Sequence, residues 1–465
     1  MRTVYKYFQN GKDYLTNMKG RFPTADERWP RQGKEIKLAK RVKPKDGNKT
    51  FCMAPWTHTY LSPQTERRMC CASREPAQSF KQYIDTDNEA KDYKPLSLKQ
   101  HWNSEHMKSV RLRMLAGEEL PECEVCDHKL LNTDVYRSYW NKLFANRIDE
   151  AFEKTDATGA TTMPTISFDY RFNNLCNFKC RMCGDMLSSS WEAESRKHKS
   201  WSKESQPWMA SPLREQIKTF QDKQVVQEFV DSIETKQVRE IYWCGGEPLM
   251  WDMHWKAMER IIELGFADQV YVRYNTNLSR TSFGKSNLFD LLGYFNDWQV
   301  CASMDGTGEV AEYIRDGLDY EQWLRNFKEG LSVSTNPRQM RLDYTITMPG
   351  LLELKNMFDL SQKLDTEILT KIMFTFSNDE VMSPLSLPKE LLHTLIDEAL
   401  VYMEPRTTWK QRPLIDVIKN LKTRETFTPT EKGKKRQQYL DRIRKQDITK
   451  ILARDKRILD WWKSI

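Results

Sequence analysis

The residues of this chain best suited to chemistry are its ten cysteines, which are grouped rather than spread along the 465 residues. Cys176, Cys180 and Cys183 form a CxxxCxxC arrangement, while Cys244 and Cys301 stand apart. The remaining five lie in the first 130 residues: Cys52, Cys70, Cys71, Cys123 and Cys126. A secreted disulfide framework would be short and evenly spaced. Thiols clustered at short gaps in a reducing compartment instead favour metal or iron–sulfur ligands.

The three-cysteine group has the spacing of an iron–sulfur loop. Three thiolates can hold three irons of a [4Fe–4S] cluster and leave the fourth iron open to an outside ligand. A zinc site would want a fourth protein ligand, and the sequence from 173 to 185 supplies neither a histidine nor a further cysteine. The spacing therefore favours a cluster with one open iron.

A glycine motif, Gly245-Gly246-Glu247-Pro248, follows the second predicted strand of the central region. Two glycines let a backbone approach a ligand closely, and Glu247 can accept a hydrogen bond from an ammonium group. This motif predicts a small-molecule contact.

The elements that would position these motifs alternate between strands and helices from residue 164 onwards. Strand-like apolar runs alternating with amphipathic helical stretches indicate parallel βαβ units with ligands at the carboxyl ends of the strands. The six predicted strand runs are PTISFDYRF, VREIYWC, QVYVRYNTN, WQVCASMD, MRLDYTITM and KIMFTFS. Six strands are too few for an eight-stranded barrel, so we expect an α/β fold with an open partial TIM barrel.

With these motifs in place, the sequence resembles the radical S-adenosylmethionine (SAM) superfamily over about residues 164–380. CNFKCRMC matches its CxxxCxΦC loop, and GGEP matches its glycine motif. The resemblance implies a (β/α)6 partial barrel in which the open iron is chelated by the amino and carboxylate groups of SAM. Reductive cleavage of SAM would then form a 5′-deoxyadenosyl radical that abstracts hydrogen from a substrate.

The resemblance also implies a set of SAM contacts by motif position. Gly245, Gly246 and Glu247 would meet the SAM amino group. Met182 occupies the Φ position, usually Tyr or Phe, and a methionine can cover the same adenine face. The remaining implied contacts are Thr276 and Asn277 of the TN element, Ser303 and Asp305 of the SxD element, and Arg315, which would neutralise the carboxylate.

The N-terminal cysteines resemble an auxiliary-cluster module called SPASM or, in its one-cluster form, twitch. A cysteine, a hairpin-like insert, a second cysteine and a CxxC would together supply four ligands to a second [4Fe–4S] cluster. The implied ligands are Cys52, Cys70 or Cys71, Cys123 and Cys126. The usual module follows the barrel, but no cysteine follows Cys301. The N-terminal segment would therefore have to fold across to the barrel mouth.

Zinc is the alternative occupant of this second site. The same cysteines could form a zinc knot, with His58 or His128 as a further ligand. We favour the cluster, because a SAM-cleaving barrel has a use for a second redox centre that binds substrate or accepts an electron.

The net charge of +8 comes from two flanking segments, 31–50 with +6 and 431–457 with +7, leaving −5 for the rest. The C-terminal segment has an apolar stripe at helical spacing, formed by Leu440, Ile443, Ile448, Ile451, Leu452, Leu459 and Trp462. It predicts either a solvated helix that caps the barrel or a docking surface for an acidic peptide, a carrier or a nucleic acid. No nucleic-acid-binding motif accompanies it, so nucleic acid is the least favoured partner.

The domain organisation follows from these assignments. We expect a polar basic segment at 1–50, a twitch- or SPASM-like module at 51–150, the partial barrel at 164–385 and a helical region with a basic amphipathic helix at 386–465. No apolar run is long enough to span a bilayer, and the first residues lack the apolar stretch of a signal peptide. A cytoplasmic protein with no membrane partner is therefore predicted.

The predicted function is that of a radical SAM enzyme. By analogy with SPASM and twitch enzymes, the expected substrate is a peptide or protein side chain, and a donor such as flavodoxin or ferredoxin would supply the electron. Two alternatives stay open. One is oxidation or rearrangement of a small sugar- or nucleotide-like molecule, and the other is a non-catalytic iron–sulfur or zinc-binding scaffold.

Overall fold

The structure is a computed structural model that describes residues 49–73, 95–129, 136–199, 211–373, 377 and 379–465, apart from the side chains of 127–129 and 211–212. Almost all of the predicted basic segment at 1–50 lies outside the described residues. The side chain of His128, one of the alternative zinc ligands, also lies outside them.

The central element of the fold is a mainly parallel sheet of eight strands in the order β12-β11-β9-β6-β5-β3-β1-β2. The described strands are β1 His58–Leu61, β2 Arg67–Arg68, β3 Ser167–Tyr170, β4 Lys179–Cys180, β5 Glu240–Trp243, β6 Tyr271–Thr276, β7 Ser282–Phe283, β8 Ser286–Asn287, β9 Asp297–Ser303, β10 Arg315–Asp316, β11 Met340–Ile346 and β12 Glu367–Ile372. The short strands β4 and β10 pair with each other, as do β7 and β8. The predicted α/β class is confirmed.

Helices alternate with the strands of the sheet. The described α-helices are α1 Ala54–Thr57, α2 Leu98–Trp102, α3 Glu105–Ala116, α4 Glu124–Lys129, α5 Tyr136–Leu143, α6 Ile148–Glu153, α7 Ser189–Lys197, α8 Ser211–Phe220, α9 Val226–Glu234, α10 Asp252–Glu263, α11 Leu288–Leu292, α12 Gly308–Ile314, α13 Tyr320–Val333, α14 Leu354–Lys363, α15 Lys389–Met403, α16 Arg412–Leu421, α17 Glu431–Arg444, α18 Ile448–Leu452 and α19 Lys456–Ser464. Within the described ranges, none of the helices combines the length and apolar character needed to cross a membrane.

Each of the six predicted strand runs overlaps a strand, namely β3, β5, β6, β9, β11 and β12, although the last run shares only Lys371 and Ile372 with β12. The last one begins four residues before its predicted run, at Glu367. The reason lies in its partner, because β12 pairs in parallel with β11 from Arg341↔Glu367 to Ile346↔Ile372. Backbone pairing with a neighbour therefore fixed this strand more strongly than its own apolar pattern.

Strand β1 was not predicted as a member of the main sheet. It pairs in parallel with β3, from His58↔Ser167 to Leu61↔Tyr170, and antiparallel with β2. All four of its residues are buried. The N-terminal segment thus extends the central sheet instead of forming a wholly separate hairpin.

The chain divides into two compact units, each assembled from separated segments. Unit 1 contains residues 1–175, 192–273 and 283–298, and unit 2 contains residues 176–191, 274–282 and 299–465. The CxxxCxxC loop belongs to unit 2, and the N-terminal cysteines and the glycine motif belong to unit 1. The domain boundaries drawn from the sequence stay predictions.

The core of unit 1 includes several of its cysteines. Cys52, Cys70 and Cys123 are buried in one apolar cluster with large side chains such as Trp56 and Trp140. Because such an interior is close-packed, the cluster fixes the backbone that carries these thiols.

The C-terminal part of unit 2 is broken into three helices instead of the one amphipathic helix expected from its apolar stripe. Lys445 ends α17 in a left-handed conformation with φ of 56°. Asp447 and Asp455 then cap the N-termini of α18 and α19 with their side chains. Asp is among the preferred capping residues, so the breaks have a local cause.

His254 in α10 is buried in the aromatic interior of unit 1. Its imidazole packs edge-on against Trp243 and Trp255, with ring centroids 4.9 and 4.8 Å away. Burial lowers the pKa of His254 from 6.5 to about 3. The folded protein therefore keeps this ring neutral at pH values where the unfolded chain would protonate it.

Lowering the pH from 7 to 5 should cost about 2 kcal/mol of the free energy of unfolding through His254 alone. The unfolded state binds a proton near pH 6.5 and the folded state only near pH 3, so stability falls as the pH drops below 6.5. Urea unfolding of the wild type and of His254→Gln at both pH values measures the effect, since other groups cancel in the difference. Equal pH dependence in the two proteins would contradict the prediction.

Candidate metal centres

The CxxxCxxC loop of unit 2 is held in shape by backbone pairing and by the start of α7. Strand β4 pairs antiparallel with β10, which places Cys180 opposite Arg315. The Ser190 hydroxyl donates to the Cys176 carbonyl at 2.8 Å, and the Trp191 indole donates to the Cys180 carbonyl at 2.8 Å. These bonds are made to the main chain, so they hold the loop without using its sulfur atoms.

The three thiols of this loop share one electrostatic environment. Burial raises the pKa of the Cys180 thiol, Arg315 opposes the rise, and the neighbouring Cys183 and Cys176 thiols add to it. Burial also raises the pKa of Cys183. Thiols kept from water hold their protons. A bound metal would displace these protons, because the thiolate is the form of cysteine that ligates a metal.

The side chains of the loop are not turned toward a common centre. Across the described residues, no group of three or more His, Cys, Asp or Glu side chains is arranged to hold a metal ion. The Cys183 thiol, for example, donates to the Gly184 carbonyl at 3.7 Å. The donor chemistry nevertheless fits an iron–sulfur cluster with one open iron, because three thiols lie on one short loop and Cys180 interacts with both of the others.

The TN element lies against the cysteine loop within unit 2. The Asn277 amide is 3.9 Å from the Cys176 sulfur and donates to the Asn177 side-chain oxygen at 2.9 Å. The Thr276 hydroxyl accepts a hydrogen bond from the Leu278 backbone at 2.9 Å, which fixes the turn after β6. The structure therefore brings Asn277 to the Cys176 thiol and gives Thr276 a backbone role.

The SxD element and Arg315 form a buried ion pair beside Cys180. Arg315 Nε lies 2.7 Å from Asp305 Oδ2, and Asp305 Oδ1 accepts the Thr345 amide at 2.8 Å. The guanidinium also lies 3.8 Å from the Cys180 sulfur through Nη1. Burial raises the pKa of Asp305, and Arg315 opposes that rise. Ser303 is half-buried at the end of β9.

The glycine motif of unit 1 approaches the chain that leads into the cysteine loop. A Cβ on Gly246 would lie 2.4 Å from the Leu175 carbonyl oxygen, and the Glu247 amide donates to that same oxygen at 2.7 Å. Gly245 has φ of 129°, a conformation that other residues rarely adopt. The Glu247 carboxylate accepts the Leu249 amide at 3.1 Å. The close approach seen here is to backbone, and the SAM contacts of this motif and of the half-buried Met182 stay predictions.

The N-terminal cysteines supply four thiols to a single cavity in unit 1. Cys52 precedes α1, Cys70 follows β2, and Cys123 and Cys126 lie where a 3₁₀ turn runs into α4. All four line the cavity. Side chains from three separated segments thus converge on one small space, and this convergence was expected from their spacing.

The electrostatics of these four thiols agree with that convergence. Burial raises the pKa of Cys52, and the Cys123 and Cys126 thiols add to the rise. Burial also raises the pKa of Cys70, with Cys71, Cys52 and Cys126 adding to it. The Cys52, Cys70, Cys123 and Cys126 thiols therefore influence one another, although among the described residues they are not arranged as a metal-binding group.

The structure separates Cys70 from Cys71, which the sequence left as alternatives. Cys71 does not line the cavity and hydrogen-bonds instead with Tyr136. Burial raises its pKa to about 11, the Asp169 carboxylate adds to the rise, and Arg171 opposes it. The two cysteines begin a turn that is closed by the Ser73 amide, which donates to the Cys70 carbonyl at 3.2 Å, and this change of backbone direction accounts for the two environments.

His58 is engaged away from this cavity. Its Nδ1 is hydrogen-bonded to the Ser167 hydroxyl at 2.6 Å, and its ring stacks on Trp140 with centroids 4.0 Å apart. Burial lowers the pKa of His58, so it is neutral at physiological pH. Among the described side chains, the possible metal ligands that line the cavity are therefore the four thiols and the Glu122 carboxylate, and the four thiols suit a [4Fe–4S] cluster or a four-cysteine zinc site.

Sequence reasoning missed a polar cluster on the sheet of unit 1. Arg273 pairs with Glu240 at 2.7 Å and lies over the ring of Tyr242, 3.9 Å from its centroid. Arg171 pairs with Asp169 at 3.1 Å. Residues 169 and 171 are two apart on an extended chain, so their side chains share a face of the sheet. Charged residues within an otherwise apolar strand run are the sequence signal that could have revealed this cluster.

Comparison with known proteins adds no relative, because no protein-family model matches the chain and no curated protein matches it. The likeness to radical SAM enzymes therefore depends on the motifs and on their surroundings described above.

Gly246→Ala should lower the free energy of unfolding by about 2–3 kcal/mol, since the new methyl group would overlap the Leu175 carbonyl. Gly184→Ala is the matched control, because a Cβ there meets nothing within 4 Å. It should stay within about 1 kcal/mol of the wild type. Urea unfolding of the three proteins measures the difference, and equal stability of the two variants would contradict the account of Gly246.

Cys70→Ser and Cys71→Ser form a matched pair that tests the four-thiol cavity. We expect Cys70→Ser to lose most of the metal bound by this site, and Cys71→Ser to retain it, because only the former side chain lines the cavity. The measurement is iron and zinc per chain after anaerobic reconstitution, in a background lacking Cys176, Cys180 and Cys183. Equal metal loss in both variants would refute the assignment of Cys70.

Proposed function

We propose that this protein is a radical SAM enzyme. The observation that carries the proposal lies within unit 2, where Asn277 and Arg315 lie 3.9 and 3.8 Å from the sulfurs of Cys176 and Cys180. These two residues come from the motif positions that the resemblance links to SAM. Their contact with the CxxxCxxC thiols supports a single site for a cluster and its ligand.

The order of the strands also supports the proposal. The strands β3, β5, β6, β9, β11 and β12 are neighbours in the sheet in the order of the chain. Helices separate them, as in repeated βαβ units. We propose that these six strands form the (β/α)6 partial barrel.

Cys176, Cys180 and Cys183 would hold the cluster in this site, and the cluster with SAM would supply hydrogen-abstracting radical chemistry. Arg315 offers a buried positive charge to the SAM carboxylate or to the thiolates, and Asp305 orients its guanidinium at 2.7 Å. A charge-assisted contact of this kind is strong in a site shielded from water.

The four-thiol cavity of unit 1 would hold the second metal centre. Its donor set fits an auxiliary [4Fe–4S] cluster, which we propose over zinc because it gives the enzyme a second redox centre. An external donor such as flavodoxin or ferredoxin would supply the electron for the first step.

The proposed substrate is a peptide or protein side chain. This class follows by fold-level analogy from the likeness to twitch and SPASM modules.

The decisive experiment is anaerobic reconstitution followed by reduction with dithionite in the presence of SAM. We expect 5′-deoxyadenosine from the wild type, and at least a hundredfold less from Cys176→Ala, Cys180→Ala or Cys183→Ala, because each variant loses a cluster ligand. Cys301→Ala is the matched control, since this buried cysteine of β9 belongs to neither group and should leave product formation intact. A wild type that carries its clusters but forms no 5′-deoxyadenosine would instead favour a non-catalytic scaffold.

A further inference from the structure

Arg181, which lies between the second and third cysteines of the loop, is held by the C-terminal helix α17. Its side chain is fully buried, and its Nη2 lies 2.5 Å from Asp441 Oδ1. Its Nη1 donates to the Gln437 side-chain oxygen at 3.0 Å, and its Nε donates to the Tyr313 carbonyl at 3.1 Å. The sequence between these partners is long, since Asp441 is 260 residues from Arg181.

Asp441 connects this arginine to two other parts of unit 2. The Tyr313 hydroxyl of α12 donates to its Oδ1 at 3.0 Å, and the Ile448 amide at the start of α18 donates to its Oδ2 at 2.8 Å. The Arg181 guanidinium also lies 3.8 Å from the centroid of the Tyr313 ring. Buried charged groups with this many partners stay in one geometry, because moving any member leaves another without its hydrogen bond.

A second arginine of the same helix secures the neighbouring part of the loop. Arg444 donates to the Lys179 carbonyl at 2.9 Å, and its guanidinium lies 4.4 Å from the ring of Trp191. Trp191 in turn donates to the Cys180 carbonyl. Helix α17 thus contacts the loop both before and after Cys180.

These contacts bear on metal binding because a ligand loop must present its sulfurs at fixed positions. Groups behind the ligands set their orientation, and losing such a group typically weakens a metal site by ten- to a hundredfold. Arg181 is suited to this role because of its place in the loop. It directly follows Cys180, and only Met182 separates it from Cys183. Fixing Arg181 therefore limits the separation and direction of two of the three thiols.

We propose that Arg181 and Asp441 are positioning residues that hold the backbone of the cysteine loop, from which the three thiols would turn to the cluster, with helix α17 as the clamp. This inference rests on the proposed function, in which the loop holds the cluster. It gives the C-terminal helix a role that its basic composition did not reveal.

Hydrogen exchange of the metal-free protein tests the clamp directly. In Asp441→Asn, the amides of residues 176–184 should exchange at least tenfold faster than in the wild type, while those of β11 stay protected. Arg442→Gln is the matched control, since Arg442 is exposed on the same helix and should change neither region. Unchanged exchange at 176–184, or an equal rise in β11, would overturn the proposal.

A second measurement uses the reconstituted protein. The electron paramagnetic resonance signal that responds to SAM should decay at least tenfold faster with a chelator in Asp441→Asn and in Arg181→Lys, which keeps the charge but loses the planar fork. Decay at the wild-type rate in both variants would overturn the clamp. A wild type that never shows such a signal would refute the proposed function, and the exchange experiment would still decide the clamp by itself.

Discussion

The exclusion of water from sulfur is the constraint on which the rest of this structure depends. A buried thiol keeps its proton, and the pKa of Cys52, Cys70 and Cys180 is raised for this reason above all others. The chain gathers such thiols into two groups, although each added neighbour makes ionisation harder. Under the proposed function, a bound cation would replace these protons and remove that cost in both groups.

The loop of unit 2 adds positive charge of its own, and its position depends on ion pairs that cross large sequence distances. Arg315 meets Cys180 while it is paired with Asp305, and Arg181 is paired with Asp441. Each arginine would be costly to bury alone, and each carboxylate removes that cost. The loop is consequently tied to β10 on one side and to α17 on the other.

The sequence alone was enough to predict the strands and the grouping of the thiols. It was not enough to predict which remote residues each strand or side chain contacts. Strand runs such as MRLDYTITM are apolar enough to be recognised alone, whereas β1 is four residues long and is defined by its pairing with β3. Cys70 and Cys71 are adjacent, and which of them faces the cavity depends on packing that no local pattern encodes. The role of Arg181 was missed because its partner, Asp441, is remote in sequence. Nothing in the sequence distinguishes Asp441 from the other acidic residues of its basic segment.

The apolar character of the four-thiol cavity has a consequence for folding. A protonated cysteine behaves as a small apolar side chain, so Cys52, Cys70 and Cys123 can pack into the core of unit 1 before any metal arrives. Small zinc-binding domains differ, because they have little core and fold only with their metal. Here the surrounding aromatic residues supply the core, and the thiols occupy converging positions within it. The fold therefore places the thiols, and under the proposed function metal binding would have only to exchange protons and reorient side chains.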